Sequence, residues 1–216
     1  MQAPTKDRIQ VWDLFVRTSH WLIVIGFFIA YFTEEDAMTV HAWAGYVVGA
    51  LLLLRIVWGL IGPRYARFSD FIYGPTAVLS YFWALVTGHA KRYVGHSPTG
   101  GAMIILLMVS LAATVGTGLI VYAQERAAGP LAPFIAHTQQ IGSLKVGVAR
   151  DNTKGEEREN KSSLEEVHET LANLTLALVI FHVLGVVLVS FVHRENLVAA
   201  MITGRKRQDG IDEASA

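Results

Sequence analysis

His168 and His182 bracket an almost wholly apolar run that continues to Val192. Fourteen residues of helix make nearly four turns, so both imidazoles project from about the same face, ~21 Å apart along the axis. An ionisable side chain inside a membrane helix is costly and is generally kept for function. Two at this interval point to two cofactors at two depths, one near each membrane surface. The alternative is a pair of histidines that snorkel or hydrogen-bond inside a bundle.

Two further histidines fall at matching depths. His20 lies about twelve residues before the end of the first apolar block, ~18 Å below the outer surface. His41 opens the second block and His168 the fourth, both at that outer surface. The depths therefore pair His41 with His168 and His20 with His182. Two imidazoles facing each other from different helices of a bundle serve as the axial ligands of a haem. Each is then neutral, with its second ring nitrogen seeking an acceptor. Zinc asks for three or four ligands converging on one point, and these separate into two levels. A proton relay would more naturally use mid-membrane acids, and none of the four apolar blocks has one at its centre.

Gly45 and Gly49 follow His41 at one-turn intervals. A missing side chain there lets a flat macrocycle lie against the backbone, or equally lets a neighbouring helix pack closely. Arg55 is fourteen residues after His41, on about the same face and ~21 Å deeper. It is a candidate bidentate partner for a haem propionate, against the alternative of a snorkelling arginine. Arg17 is a second propionate candidate at the same level. His89, His96, His137 and His193 read as structural or solvent-facing residues, and Gly116, Thr117 and Gly118 as a site of close packing rather than chemistry.

The elements that carry these residues are set by composition. The chain is 52% hydrophobic and 17% charged, and its apolar residues come in long uninterrupted blocks, the mark of membrane spans. The expected fold is an all-α integral membrane protein, a single domain over residues 1–216. Its four transmembrane helices are expected at about 11–32, 41–61, 101–122 and 168–192, with a long polar loop at 123–167. Within the second connection, Pro75 suits the first turn of a helix. Val78, Leu79, Phe82, Trp83, Leu85 and Val86 give that helix an apolar surface too short to span, so it is expected to lie in the interface. Most of the lysines and arginines fall in the N-terminus, the 63–99 connection and the C-terminal tail, whereas the first loop holds Glu34, Glu35 and Asp36. The positive-inside rule then places both termini in the cytoplasm and loops one and three in the periplasm. Formal net charge is zero, so nothing suggests nucleic acid. The absence of cysteine excludes disulfides, iron–sulfur ligation by this chain and thioether-attached haem. Residues 1–11 are polar and the block after them is too long for a signal-peptide core, so no cleavable signal is expected.

Several segments together resemble the bacterial cytochrome b561 family, which is related to the b-type cytochrome subunits of nickel–iron hydrogenases. They are Arg-Thr-Ser-His-Trp at 17–21, His-Ala-Trp-Ala-Gly-Tyr at 41–46, Leu-Leu-Arg-Ile-Val-Trp-Gly at 53–59 and Tyr-Val-Gly-His-Ser-Pro at 93–98. The most specific is His-Glu-Thr-Leu-Ala-Asn at 168–173 with its second histidine fourteen residues on. The likeness covers about residues 9–205; the 123–167 loop matches no family motif. The resemblance implies four spanning helices in a bacterial inner membrane and two non-covalent haems b, ligated by His20, His41, His168 and His182. It also implies electron exchange with quinone and with a second partner. That partner is a periplasmic cytochrome c, a hydrogenase or other reductase that the chain would anchor, or superoxide; an oligomer is compatible with any of these. The mixed charges of the 123–167 loop, among them Arg126, Lys145, Arg150, Lys154, Arg158 and Lys161, make it the expected docking surface.

Overall fold

The computed structural model describes residues 8–34, 37–137 and 153–207. It is an all-α membrane fold. Four helices are long and apolar enough to cross a membrane: α1 (Leu14–Phe32), α2 (Met38–Ile61), α4 (Pro98–Arg126) and the apolar part, Ser163–Val192, of α5 (Thr153–Val192). Between α2 and α4 lies the short apolar helix α3 (Pro75–Val86), and α6 (Leu197–Thr203) follows α5. Large apolar side chains on the long helices stand outward, Phe191 at 83% and Leu53 at 67% exposure. That suits a lipid-facing surface, where the apolar exterior has no water to avoid.

Element boundaries depart from the sequence expectation at polar helix ends. The first helix begins at Leu14 rather than near Val11, because Asp13 caps it: its Oδ1 accepts from the Val16 N–H at 2.9 Å. Val11 and Trp12 instead join Val94 in a small buried cluster. The second helix starts at Met38, one turn before His41. The largest correction concerns α5, which begins at Thr153, so that His168 lies well inside a helix rather than opening one. Residues 153–167 are charged and carry no apolar run, so nothing in hydropathy marks them as helical. The loop expected over 123–167 is shortened accordingly, with Arg126 closing α4 and Lys154, Arg158 and Lys161 on the α5 backbone. Lys145, Arg150, Glu35 and Asp36 lie outside the described residues.

Chain contacts divide the protein into two units, and the division falls within each long helix. The first unit comprises residues 1–25, 50–108 and 177–216. Here β1 (Arg8–Gln10) pairs antiparallel with β2 (Arg205–Arg207), with Ile9 opposite Lys206. The turn into β2 is made by Gly204 at φ 78°, whose carbonyl accepts from Val11 N–H at 2.8 Å and Trp12 N–H at 3.1 Å. An added Cβ there would stand 2.5 Å from the Trp12 carbonyl oxygen. Beneath the sheet, Arg92 grips Glu195 bidentately at 2.8 and 3.2 Å. Lys206 stands 3.7 Å from the same carboxylate, which also accepts from the Arg207 N–H at 3.1 Å. Burial pushes the Glu195 carboxyl up, but Arg92 and Lys206 outweigh it and hold the group below its ordinary range. Helix α3 starts with Pro75 in its first turn and buries Tyr81 and Leu85, while Leu79, Phe82, Trp83 and Val86 stay exposed.

The second unit comprises residues 26–49 and 109–176. Its segments of α4 and α5 are joined by hydroxyls: Ser110 Oγ meets Thr175 Oγ1 at 2.6 Å, and Thr114 Oγ1 stands 3.1 Å from the same atom. The Tyr31 hydroxyl donates to Asn173 Oδ1 at 2.7 Å and ties α1 to α5. Polar contacts of this kind take the place of hydrophobic driving force between helices in lipid.

Candidate functional site

In the second unit, α2 supplies His41 and α5 supplies His168, with ring centroids 6.1 Å apart and planes at 82°. The His41 Nδ1 lies 2.9 Å from the Ala30 carbonyl oxygen. Ala30 is in the last turn of α1, and its carbonyl, which also accepts from the Thr33 N–H at 3.2 Å, has a second lone pair for the ring. A carbonyl only accepts, so Nδ1 carries the proton and Nε2 keeps its lone pair. The His168 Nδ1 lies 3.1 Å from the Thr117 hydroxyl on α4. Both rings are thus oriented through Nδ1, the arrangement of imidazoles that bind metal through the other nitrogen.

A cavity of about 330 Å³ is lined by this pair, by Gly45, Val115 and Gly118, and by Glu34, Glu125, Glu165, Glu169 and Arg126. Its volume is that of a small-molecule or cofactor site. The two glycines of α2 part company here. A Cβ on Gly45 would meet nothing within 4 Å, so this position opens onto the cavity, whereas one on Gly49 would stand 3.0 Å from Val115 Cγ1, a helix-packing contact.

In the first unit, His20 of α1 and His182 of α5 face each other with centroids 6.4 Å apart and planes at 55°. The His20 Nδ1 is buried without a hydrogen-bond partner, an orphan that calls for a further group at the site. Arg55 is only 9% exposed, and its Nη1 donates to the Ala66 carbonyl at 3.3 Å. It is therefore a buried cation rather than a snorkelling one, with donors left over for an anion. Arg17 is engaged elsewhere: its Nη1 donates to the Ile202 carbonyl near the end of α6, and its Nε stands 3.4 Å from the Asp13 carbonyl.

Two imidazoles on opposite sides of one metal ion bring their ring centroids to about 6.2–6.4 Å, from a metal–nitrogen distance of about 2.0–2.1 Å and the size of the ring. The observed separations, 6.1 and 6.4 Å, lie within about 0.1 Å of that range. His41 with His168, and His20 with His182, are the residues that would hold a haem iron, which would supply a one-electron couple. Among the described residues, no group of three or more His, Cys, Asp or Glu converges as a zinc site requires.

His96, read from sequence as a loop histidine, has a more particular setting. Its ring lies 4.4 Å from that of Trp12 and 4.7 Å from that of Phe71, and its Nδ1 is buried without a partner. Burial, with the charges of Arg55 and Lys206 adding to it, lowers its pKa to about 3. Hydropathy gave no sign of this, because the burial comes from how the 63–97 connection folds. Nor did it mark Thr117 or Gly118, whose only sequence signal is a hydroxyl beside a glycine in a span without histidine.

A family model described as prokaryotic cytochrome b561 matches residues 11–204. No curated protein and no solved structure matches the chain.

Proposed function

This chain belongs to the prokaryotic cytochrome b561 family, a family of b-type haem membrane proteins that transfer electrons, and from that premise we propose that it is a di-haem electron carrier of the bacterial inner membrane. One haem b would be held by His41 and His168 and the other by His20 and His182. What supports this reading is the pair of facing imidazole couples, at 6.1 and 6.4 Å. Bound haem iron supplies a one-electron couple whose potential the protein tunes through ligands, hydrogen bonds and burial.

The chain's own residues would do the rest. Ala30 and Thr117 would hold the two outer imidazoles in the tautomer that ligates, through the contacts at 2.9 and 3.1 Å. Gly45 leaves room for the macrocycle. Arg55 presents a buried guanidinium for a propionate of the inner haem, with Arg17 further engaged at the end of α6. The positive-inside distribution supports cytoplasmic termini, which would leave the His41/His168 pair toward the periplasm. Electrons would pass between the quinone pool and a periplasmic redox partner, a cytochrome c or a reductase.

The rim of the outer cavity favours a protein partner over superoxide. Among the described residues, Glu34, Glu125, Glu165 and Glu169 outnumber Arg126 there, a balance that disfavours a small anion and favours a basic protein surface. The test is stopped-flow oxidation of the quinol-reduced protein in proteoliposomes by a basic cytochrome c and, separately, reduction by superoxide. The expected result is fast, salt-sensitive oxidation by the cytochrome, slowed by deletion of residues 140–150 with the haem spectrum unchanged. Superoxide-driven quinone reduction at a comparable rate would replace this reading with the superoxide-oxidising one.

A further inference from the structure

Helix α4 carries no histidine, yet it supplies two of the closest neighbours of His168. The Thr117 hydroxyl has a single proton, and carbonyl oxygens of its own helix are placed to take it: Ala113 at 2.9 Å and Thr114 at 3.0 Å. Toward His168 the hydroxyl therefore offers a lone pair, and the contact at 3.1 Å is completed by a proton on Nδ1. Were the hydroxyl to donate instead, a neutral ring would carry its proton on Nε2 and lose the lone pair that a metal would need there. The next residue acts by its missing side chain. A Cβ on Gly118 would stand 2.8 Å from His168 Cε1, 3.3 Å from Nδ1 and 3.4 Å from Nε2. That is closer than a rigidly held ring accepts, and the ring has the Thr117 contact on one side and His41 on the other. Gly116, two residues earlier, meets nothing within 4 Å, so small size at this helix position is not a general need of packing.

We infer that Thr117 and Gly118 form a seat for His168, Thr117 fixing its tautomer and raising its basicity and Gly118 fixing where the ring stands. Both are positioning residues, since each would act on a haem only through the His168 ring. The inference rests on the two-haem reading above. An imidazole that donates from Nδ1 is the stronger ligand and favours ferric over ferrous iron, so the seat lowers the midpoint potential of the outer haem and leaves the inner one alone.

The experiment is a redox titration of the purified protein followed at the haem absorption band, together with haem per chain and the low-spin electron paramagnetic resonance signal. His41→Ala and His168→Ala first identify the outer component. Thr117→Val, close to isosteric, is expected to raise that component's ferrous-to-ferric ratio at fixed ambient potential about fivefold, the worth of one net hydrogen bond, without moving the other. Thr117→Ser is expected to return it. Gly118→Ala should lose or reshape the outer signal, while Gly116→Ala retains both haems unchanged. The seat is overturned if Thr117→Val leaves both components in place, if Thr117→Ser fails to reverse its shift, or if Gly118→Ala keeps two unaltered signals. If the two histidine variants remove no haem, the two-haem reading itself has failed and the seat falls with it.

Discussion

The imidazoles of His41 and His168 face each other at 6.1 Å, and each has its Nδ1 committed, one to the Ala30 carbonyl and the other to the Thr117 hydroxyl. Two rings on different helices are held by their Nδ1 atoms, within about 0.1 Å of the separation one metal ion would impose. His20 and His182 repeat the separation in the other unit.

Loss of either ring of a pair should remove one haem and spare the other. His168→Ala and His41→Ala are expected to give the same residual visible spectrum, and His20→Ala and His182→Ala a second, different one. Difference spectra of the four variants check this. Four distinct residual spectra, or one common to all, would break the pairing.

Arg55 places a positive charge in a buried setting beside the inner pair. A nearby cation favours the ferrous state, which has one positive charge fewer than the ferric. Arg55→Gln is therefore expected to lower the midpoint potential of the His20/His182 component, and Arg55→Lys to lower it less, since lysine keeps the charge but not the fork of donors. Redox titration reads both, and an upward shift in Arg55→Gln would show that the guanidinium is not near the propionates.

Acid should destabilise the protein through His96. Its pKa falls from 6.5 to about 3 on folding, so between those values the unfolded chain binds a proton that the folded one refuses. Stability then rises with pH across this window and is lost as pH drops from about 6.5 toward 3. In His96→Gln the contribution vanishes. Thermal unfolding from pH 7 to pH 4 is expected to show a smaller fall in Tm for the variant than for the parent.

Glu195 stands between Arg92 and Lys206, all under 10% exposed. Removing one partner of a buried pair leaves the others uncompensated, at about 3–5 kcal/mol. Glu195→Gln should show that loss in thermal unfolding. Asp70→Asn breaks a 3.5 Å pair with Arg64, which is 56% exposed, and should cost about 0–1 kcal/mol.

How far the sequence reached depended on what each residue answers to. The four spans were legible because lipid demands long apolar runs, and His20, His41, His168 and His182 because helix rise converts spacing into depth. The charged start of α5 at Thr153 was not, since a polar helix outside the membrane leaves no mark in hydropathy. Asp13 does not read as a cap because its role depends on where the chain turns, and β1 and β2 do not read as strands because the basic Arg205–Arg207 pairs with Arg8–Gln10 only once the fold brings them together. Gly45 and Gly49 looked alike in sequence, and the neighbours on α4 separate them. Thr117 and Gly118 looked like packing, and become specific only when the His168 ring is set beside them.

The central claim is that two histidine pairs hold two haems, and a pyridine haemochrome assay on the purified, detergent-solubilised protein tests it most directly, because it reports haem type and haem per chain together. Two haems b per chain is the expected result. One haem per chain, or none in a protein that remains helical, would contradict it.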